Sequence, residues 1–310
     1  MDVIFSRLKN EMDIPNQTVV ALGNFDGLHL GHMALIEKAF AISRQEHLNA
    51  MVYTFENHPQ NIIAGRNVVP IITTNEMKQK LLRDYGIDYL YFQHFDDAIM
   101  QMKPEQFVIQ VLKQNLKVKS VVVGFHYHFG YKGKGDVALL KKIASQHDMN
   151  VYIIPPVKVD NQIVSSTSIR QLIIKGDVQK ASLFLGRYYS IAGQVRKGKQ
   201  LGRKIGFPTI NLYNTKDTIM PARGVYVTYT VVAGKRYESI TNVGCNPTVE
   251  AGDIKVETHL LMFNDDLYDQ QVGIQFIKKV RDEIKFQSVA DLTAQIAQDV
   301  LYAKQYFPSQ

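Results

Sequence analysis

The stretch GNFDGLHLGH (residues 23–32) decides the fold of the first part of the chain. It directly follows TVVAL (residues 18–22), a short apolar run that is typical of a buried strand. A pattern of apolar residues at helical spacing begins at His32, so the glycine-rich stretch connects a strand to a helix. In α/β folds the free N–H groups at such a helix start bind anionic groups, and glycines let the backbone approach them closely. We therefore expect a phosphate-binding loop here.

Two histidines in this loop support the same interpretation. His29 and His32 lie three residues apart, with Gly31 between them. An imidazole can donate a hydrogen bond to a phosphate oxygen as negative charge develops on it. The alternative is a pair of histidines in an ordinary glycine-rich turn, and the spacing by itself leaves both interpretations open.

Strand and helix patterns alternate through the first part of the chain, which predicts a doubly wound, Rossmann-like α/β domain with a parallel sheet. The strand candidates are short, apolar and rich in β-branched residues, and we expect them at residues 18–23, 50–55, 88–95, 120–125 and 150–156. The helical patterns lie at residues 32–45, 75–86, 104–116, 136–147, 165–176 and 177–186.

The pattern changes after residue 185. Short β-rich segments separated by Gly, Asn and Asp predict a small antiparallel barrel or sandwich, and we expect an all-β barrel of the Greek-key type. A helix at residues 289–307 closes the chain. We place the boundary near Gly186, which gives domains of residues 1–185 and 186–310.

The composition excludes several classes of protein. The 310 residues are 45% hydrophobic and carry a net charge of +7 that is spread along the chain, which suits small anionic substrates better than nucleic acid. No apolar run approaches the roughly 20 residues that span a bilayer, and the N-terminus does not look like a signal peptide, so we expect a cytoplasmic protein. The one cysteine, Cys245, is interpreted as a small buried residue rather than a nucleophile.

A second group of polar residues lies in the β-rich part. GKQLGRKIGFPTINL (residues 198–212) can cradle phosphates with its glycines, and Thr209 and Asn211 offer oxygens that suit Mg²⁺. Glu257 lies in a strand pattern and can deprotonate a hydroxyl group. Taken singly, these residues could equally be a turn and an exposed strand carboxylate.

These motifs, in this order, resemble those of a known family. The H-x-G-H of residues 29–32 and VSSTSIR (residues 164–170) resemble the nucleotidylyltransferase superfamily. Together with the kinase-like motifs that follow, the whole chain resembles the bifunctional bacterial riboflavin kinase/FAD synthetase family. The resemblance implies that riboflavin is phosphorylated to FMN in the C-terminal domain. It also implies that FMN is adenylylated to FAD in the N-terminal one, with ATP and Mg²⁺ in use.

For the N-terminal domain the resemblance implies a set of residues around ATP and FMN. The catalytic groups would be His29, His32 and Arg170, although Arg170 could also be an exposed helix arginine. His58 and Pro59 would lie near the flavin, with a plain loop histidine as the alternative for His58. The remaining ATP contacts would be Gly23, Asn24, Phe25, Gly31, Ser165 and Ser166, one of the two serines capping the helix that follows.

For the C-terminal domain the resemblance implies a phosphotransferase site. Glu257 would be the general base, while Thr209 and Asn211 would hold Mg²⁺ and the ATP phosphates. Gly198, Gly202 and Lys204 would form a flap over the phosphates, and Arg281 would help to shape the flavin site.

One departure from the family pattern leaves alternatives open. GFHYHFG (residues 124–130) carries His126 where the family has an acidic or amide residue next to the flavin, and His128 where arginine is common. The alternatives are an enzyme whose adenylylating domain is impaired, a flavin-binding regulator without turnover, and a nucleotidylyltransferase for another substrate. Self-association of the chain is also left open.

Overall fold

The computed structural model describes residues 1–7, 14, 16–198, 201–213, 218–245 and 254–307. The chain forms two compact units, Met1–Ser166 and Thr167–Gln310. This division places the helices between residues 167 and 185 with the second unit, so the boundary near residue 186 stays a prediction. The side chain of Cys245 lies outside the described residues, and so does the prediction made for it.

The first unit is built on a six-stranded parallel sheet, which confirms the predicted Rossmann-like fold. All five predicted strands are present, and the sequence reading missed β1. That strand pairs with β4 at the sheet edge, and its Phe5 is 52% exposed. The order is β1-β4-β3-β2-β5-β6, with bounds β1 Asp2–Ser6, β2 Thr18–Leu22, β3 Asn49–Phe55, β4 Tyr89–Gln93, β5 Val118–Gly124 and β6 Asn150–Ile154.

Both faces of this sheet are buried. Along β2, Val19 and Ala21 belong to one apolar core, whereas Val20 and Leu22 belong to the other, as the two-residue period of a strand requires. Apolar residues of α1 and α3 cover the first face, and those of α6 and a π-helical segment cover the second. The elements are α1 Leu30–Glu46, α2 Pro59–Ala64, α3 Asn75–Arg83, α4 Asp97–Met100, α5 Pro104–Gln106 with the π-helical Phe107–Asn115, α6 Val137–Ser145, and the hairpin β7 Lys158–Val159 and β8 Gln162–Ile163.

The second unit is a closed barrel of six antiparallel strands, which confirms the barrel rather than the sandwich. Its order is β9-β10-β13-β12-β11-β14 around the closed ring. The strands are β9 Tyr189–Arg196, β10 Ile210–Tyr213, β11 Gly224–Val232, β12 Lys235–Cys245, β13 Ile254–Leu260 and β14 Gln271–Arg281. The helices are α7 Ser166–Lys175, α8 Val178–Leu185, the single turn α9 Leu201–Lys204 and the closing α10 Val289–Tyr306. No helix in the described ranges is long and apolar enough to cross a membrane.

Hydroxyl groups occupy part of the barrel interior. Thr228 lies 2.9 Å from Ser239 and 2.8 Å from Thr241, and Thr241 lies 2.9 Å from Thr258. Thr230 donates to Ser239 at 2.9 Å. All five side chains are fully buried and satisfy one another, so burial leaves none of these hydroxyls without a partner.

Candidate active sites

The loop between β2 and α1 is tightly folded and anchored from below. Phe25 and Leu28 adopt positive φ angles of 46° and 41°, an uncommon conformation for residues with a side chain. Both side chains are buried in the apolar core under α1. This core packing holds the backbone in its strained path. The role of Phe25 in a nucleotide pocket stays a prediction, since its ring is fully buried here.

The two histidines meet at the start of α1. His29 is the N-cap residue, and its Nδ1 accepts a hydrogen bond from the backbone N–H of His32 at 3.2 Å. The two rings stack with centroids 3.6 Å apart. A Cβ at Gly31 would lie 3.1 Å from the His29 ring, so glycine leaves room for it. Because Nδ1 accepts in this arrangement, the ring proton of neutral His29 is on Nε2, where it can be donated to a bound anion.

Asp26 and Lys78 brace the same loop, and the sequence reading missed both. The buried carboxylate of Asp26 accepts hydrogen bonds from the backbone N–H groups of Ile72 at 2.9 Å and Thr73 at 3.0 Å. Lys78 donates to the backbone carbonyl of Asn24 at 3.3 Å. Burial lowers the pKa of Lys78 to about 8, against the opposing effect of the Asp26 carboxylate. A helical lysine ordinarily indicates an exposed position, so no sequence pattern pointed to it.

The VSSTSIR segment meets the loop at its first residues. The Ser166 hydroxyl donates to the backbone carbonyl of Asp26 at 2.7 Å, so it anchors the loop as well as starting α7. Ser165 precedes it and is half-buried, as is Arg170 on α7. Their contacts with ATP stay predictions.

The remaining predicted residues of the first unit lie on loops or at the start of α2. Gly23 and Asn24 follow β2, and Asn24 is exposed. His58 is the N-cap residue of α2, with Pro59 at the first helical position. His126 is exposed, and its ring packs against that of Phe125 with centroids 3.7 Å apart. The ATP contacts of Gly23 and Asn24 and the flavin contacts of His58, Pro59 and His126 stay predictions.

In the barrel, three polar residues form a row across neighbouring strands. Glu257 on β13 lies opposite Asn211 on β10 and opposite Asn242 on β12. The Lys255 ammonium contacts one carboxylate oxygen of Glu257 at 2.6 Å. Residues that face each other across a strand pair share one face of the sheet, so the sheet itself places the two amides beside the carboxylate. The sequence reading missed Asn242.

Two cavities meet at Thr209. The larger, of about 280 Å³, is lined by Glu257, Asn242 and Arg281 and by a group of apolar side chains from the barrel, from α10 and from the segment between them, namely Val225, Ile240, Ile284, Phe286, Leu292 and Ile296. The smaller, of about 80 Å³, is lined by Arg203, Asp265 and Asp266 among others. Thr209 lines both cavities. A group passing from a ligand in one cavity to a ligand in the other would therefore pass this residue.

The donor set beside Thr209 fits a magnesium ion. In the part of the chain that the structure describes, the Asn211 Oδ1 atom is buried and accepts no hydrogen bond. A Cβ at Gly198 would lie 2.5 Å from the Asn211 amide nitrogen, and one at Gly202 would lie 3.2 Å from the Thr209 hydroxyl. Within the same described ranges, no three His, Cys, Asp or Glu side chains come together to hold a metal ion. Amide, hydroxyl and phosphate oxygens would therefore supply the coordination, as Mg²⁺ often accepts.

Arg281 lines the larger cavity but is held by a partner that the sequence reading missed. Its guanidinium donates to both carboxylate oxygens of Asp299 on α10, at distances from 2.6 to 3.2 Å. Gln295 donates to the same carboxylate at 3.0 Å. Arg281 thus ties α10 to the end of β14, and its contact with a flavin stays a prediction. Lys204 is exposed on the turn α9, and its place in a flap is likewise a prediction.

His259 is a further residue of the larger cavity that the sequence reading missed. Its Nδ1 lies 2.7 Å from the backbone carbonyl oxygen of Pro208, and its ring meets that of Phe207 edge-on. Burial lowers the pKa of His259 from its ordinary value, and Lys304 adds to this against the opposing hydrogen bond. Burial thus favours the neutral form of the ring.

Comparisons with known proteins agree with this two-site arrangement. The family model for FAD synthetase matches residues 11–168, and that for riboflavin kinase matches residues 185–307. A bifunctional riboflavin kinase/FMN adenylyltransferase of Buchnera aphidicola is 31% identical over 97% of this chain and 97% of its own. The enzymes of the same description from Escherichia coli and Listeria monocytogenes are 32% and 34% identical, each over 93% of this chain and 92% of their own.

A solved structure shares the architecture of the whole chain. A crystal structure from Streptococcus pneumoniae, described as a macrolide-efflux protein, aligns with a TM-score of 0.89 and 32% identity. The alignment covers 97% of this chain and 98% of that one. With both family models matched in series and curated relatives aligned over nearly the full length, the chain belongs to the bifunctional riboflavin kinase/FMN adenylyltransferase family.

Proposed function

We propose that this chain phosphorylates riboflavin to FMN in the barrel unit and adenylylates FMN to FAD in the α/β unit, using one ATP in each step. The observation that supports the proposal is a separate set of polar side chains in each unit, whose chemistry suits phosphate. One set is the histidine pair at the start of α1, and the other is the row around Glu257 beside Thr209.

In the kinase step, Glu257 accepts the proton of the terminal ribityl hydroxyl of riboflavin, and the resulting oxygen attacks the γ-phosphorus of ATP. The apolar side chains of the larger cavity suit the flavin ring, and the smaller cavity is left for the nucleotide. Thr209 and Asn211 would hold Mg²⁺, which when bound neutralises charge on the transferred phosphoryl group. FMN and ADP are the products.

In the adenylylation step, the phosphate of FMN attacks the α-phosphorus of a second ATP, and pyrophosphate leaves. This reaction needs no covalent enzyme intermediate, so the task of the protein is positioning and charge stabilisation. His29 donates its Nε2–H to a phosphate oxygen, and the N-terminus of α1 adds its backbone N–H groups. His32 adds a second imidazole to the charge stabilisation.

The proposal includes the setting of the reaction. ATP, riboflavin and FMN are the small-molecule substrates, and the cytoplasm is the proposed compartment because ATP is consumed twice. Self-association stays a prediction, which sedimentation of the purified protein would measure.

The test is one incubation for both reactions together and a second one for the adenylylation step by itself. The protein is mixed with riboflavin, ATP and Mg²⁺, and riboflavin, FMN and FAD are separated by chromatography over time. We expect FMN to form first and FAD to follow, with both reactions stopped by removal of Mg²⁺. A second incubation that starts from FMN tests the adenylyltransferase by itself. If FMN forms in the first incubation and FAD forms in neither, the protein is a riboflavin kinase without adenylyltransferase activity. If it binds flavin and forms neither product, it is a flavin-binding regulator.

A further inference from the structure

We propose that His259 is a positioning residue of the kinase site, which acts by holding the peptide unit between Pro208 and Thr209 in place. The proposal rests on the proposed kinase function and adds a residue to it. His259 would not touch the reacting atoms. It would fix the distance and orientation between the base, Glu257, and the residues that hold the ATP phosphates.

The strand pattern places His259 next to the base. Along β13 the side chains of Val256, Thr258 and Leu260 are buried in the barrel, while Glu257 and His259 alternate with them on the outer face. Both of these outer residues line the larger cavity. Any group that His259 holds is therefore held in a fixed position relative to Glu257, because both residues lie on β13.

The hydrogen bond identifies what His259 holds. A carbonyl oxygen only accepts, so the 2.7 Å contact with Pro208 means that His259 Nδ1 carries the proton and donates it. The carbonyl belongs to the peptide unit that leads directly into Thr209. A fixed carbonyl direction fixes the orientation of this peptide plane. The plane in turn sets the position of the Thr209 backbone and side chain.

This peptide unit lies outside the regular strand pairing. The ladder between β10 and β13 begins at Ile210, which pairs with Thr258, so Thr209 precedes the first paired residue. The next anchor back along the chain is the bond from the Phe207 N–H to the Gly202 carbonyl at 2.8 Å. The edge-on contact between the Phe207 and His259 rings lies between these two anchors. The His259 imidazole thus supports the residues just before Ile210, which strand pairing does not hold.

Three substitutions separate the positioning role from the alternatives. His259→Asn keeps an N–H donor at the position of Nδ1, whereas His259→Gln moves the amide out to the position of Nε2. His259→Phe keeps a ring against Phe207 and removes both nitrogens. We expect the asparagine variant to stay within about threefold of the wild-type kcat/KM for ATP in the kinase reaction. The glutamine and phenylalanine variants should lose about tenfold in kcat/KM, the upper end of the net effect of one intramolecular hydrogen bond.

A second measurement tests the same proposal without any activity. Hydrogen–deuterium exchange of peptides covering residues 202–213 should be faster in the glutamine and phenylalanine variants and nearly unchanged in the asparagine variant. If the wild-type protein makes no FMN, the proposed function fails, while the exchange data still decide whether His259 positions the segment. The rate of FAD formation from supplied FMN, which belongs to the other unit, serves as the control for an intact protein and should not change.

Three outcomes would overturn the proposal. Retention of activity by His259→Gln with loss in His259→Asn would assign the role to Nε2 and make His259 a substrate contact. Equal loss in all three variants, with unchanged exchange, would mean that the shape of the imidazole matters and the hydrogen bond does not. Wild-type behaviour of all three would show that strand pairing suffices to hold Thr209.

Discussion

Asn211 and Glu257 lie directly opposite each other on the paired strands β10 and β13, so the sheet register sets their separation. This pairing joins the proposed metal ligand to the proposed base. We expect Glu257→Gln to lower the rate of FMN formation at least 100-fold, the lower range for a lost general base. Conversion of supplied FMN to FAD should continue at the wild-type rate. Chromatography of both reactions measures this, and kinase turnover that survives would remove Glu257 from its role.

The helix-capping role and the proposed phosphate-binding role of His29 use different ring nitrogens, so one substitution can separate them. His29→Asn keeps a side-chain oxygen that can accept from the His32 N–H, but it lacks the Nε2–H donor. We expect FAD formation to fall about 100-fold or more, as for loss of one preorganised donor, while FMN formation persists. His47→Asn, at the left-handed C-cap of the same helix, is the matched control and should leave both rates unchanged. Loss of both activities in a folded His29 variant would contradict the assignment of separate sites.

Gly198→Ala tests how closely the predicted flap segment approaches Asn211. A Cβ at residue 198 would lie 2.5 Å from the Asn211 amide, so Gly198→Ala must displace that side chain. We expect the KM for ATP in the kinase reaction to rise about tenfold or more, the effect of losing one or two polar contacts. Gly273→Ala is the control, because its Cβ would meet only ordinary contacts at 3.7 Å and beyond. Equal behaviour of the two variants would show that the segment is free to move away.

The ion pair between Arg281 and Asp299 should matter for stability. The Asp299 side chain is only 6% exposed, and its removal leaves the guanidinium without its counter-charge. We expect Asp299→Ala to lower the free energy of unfolding of the barrel unit by about 3 kcal/mol. Asp282→Ala, which breaks an exposed pair with Lys279, should change it little. Urea unfolding followed by a barrel-specific signal measures both, and equal losses would mean that burial of the pair is unimportant.

The lowered pKa of Lys78 predicts that the stability of the folded protein depends on pH. This pKa is about 8 in the folded protein and about 10.5 when unfolded, so between these values the unfolded chain binds the extra proton and wild-type stability rises with pH. Relative to Lys78→Met, which does not titrate, the wild type should gain on the order of 3 kcal/mol from pH 8 to 10.5. Below pH 8 the difference between the two proteins should be constant. Urea unfolding at pH 7, 9 and 10 checks this. If the stabilities of the two proteins changed in parallel with pH, folding would not lower the pKa of Lys78.

The repeating pattern of the chain made most of the fold predictable. Buried parallel strands have short apolar runs, which located β2 to β6, and the β-rich segments after residue 185 predicted the antiparallel barrel. The edge strand β1 was not located, although Val3, Ile4 and Phe5 form an apolar run as well. Closure of the barrel depends on pairing between β9 and β14, which lie far apart in sequence, so strand lengths could not decide between barrel and sandwich.

The candidate sites were predictable only where they form motifs. His29, Thr209 and Glu257 stand in runs whose residue types already suggest phosphate chemistry. Lys78 and His259 do not, since each acts on a backbone carbonyl of a distant segment, at Asn24 and Pro208 respectively. A contact with a backbone atom leaves no trace in the residue type of its partner. Such positions become visible only once the chain has been folded.

The hydroxyl cluster inside the barrel bears on how sequences of this kind can diverge. Thr228, Ser239 and Thr241 each bond to at least one other member, so an apolar replacement of one leaves a neighbour unsatisfied in a dry interior. A joint replacement by apolar residues of similar volume carries no such penalty. Substitutions at these positions should therefore be correlated across homologues, with the threonines and serines kept together or exchanged together.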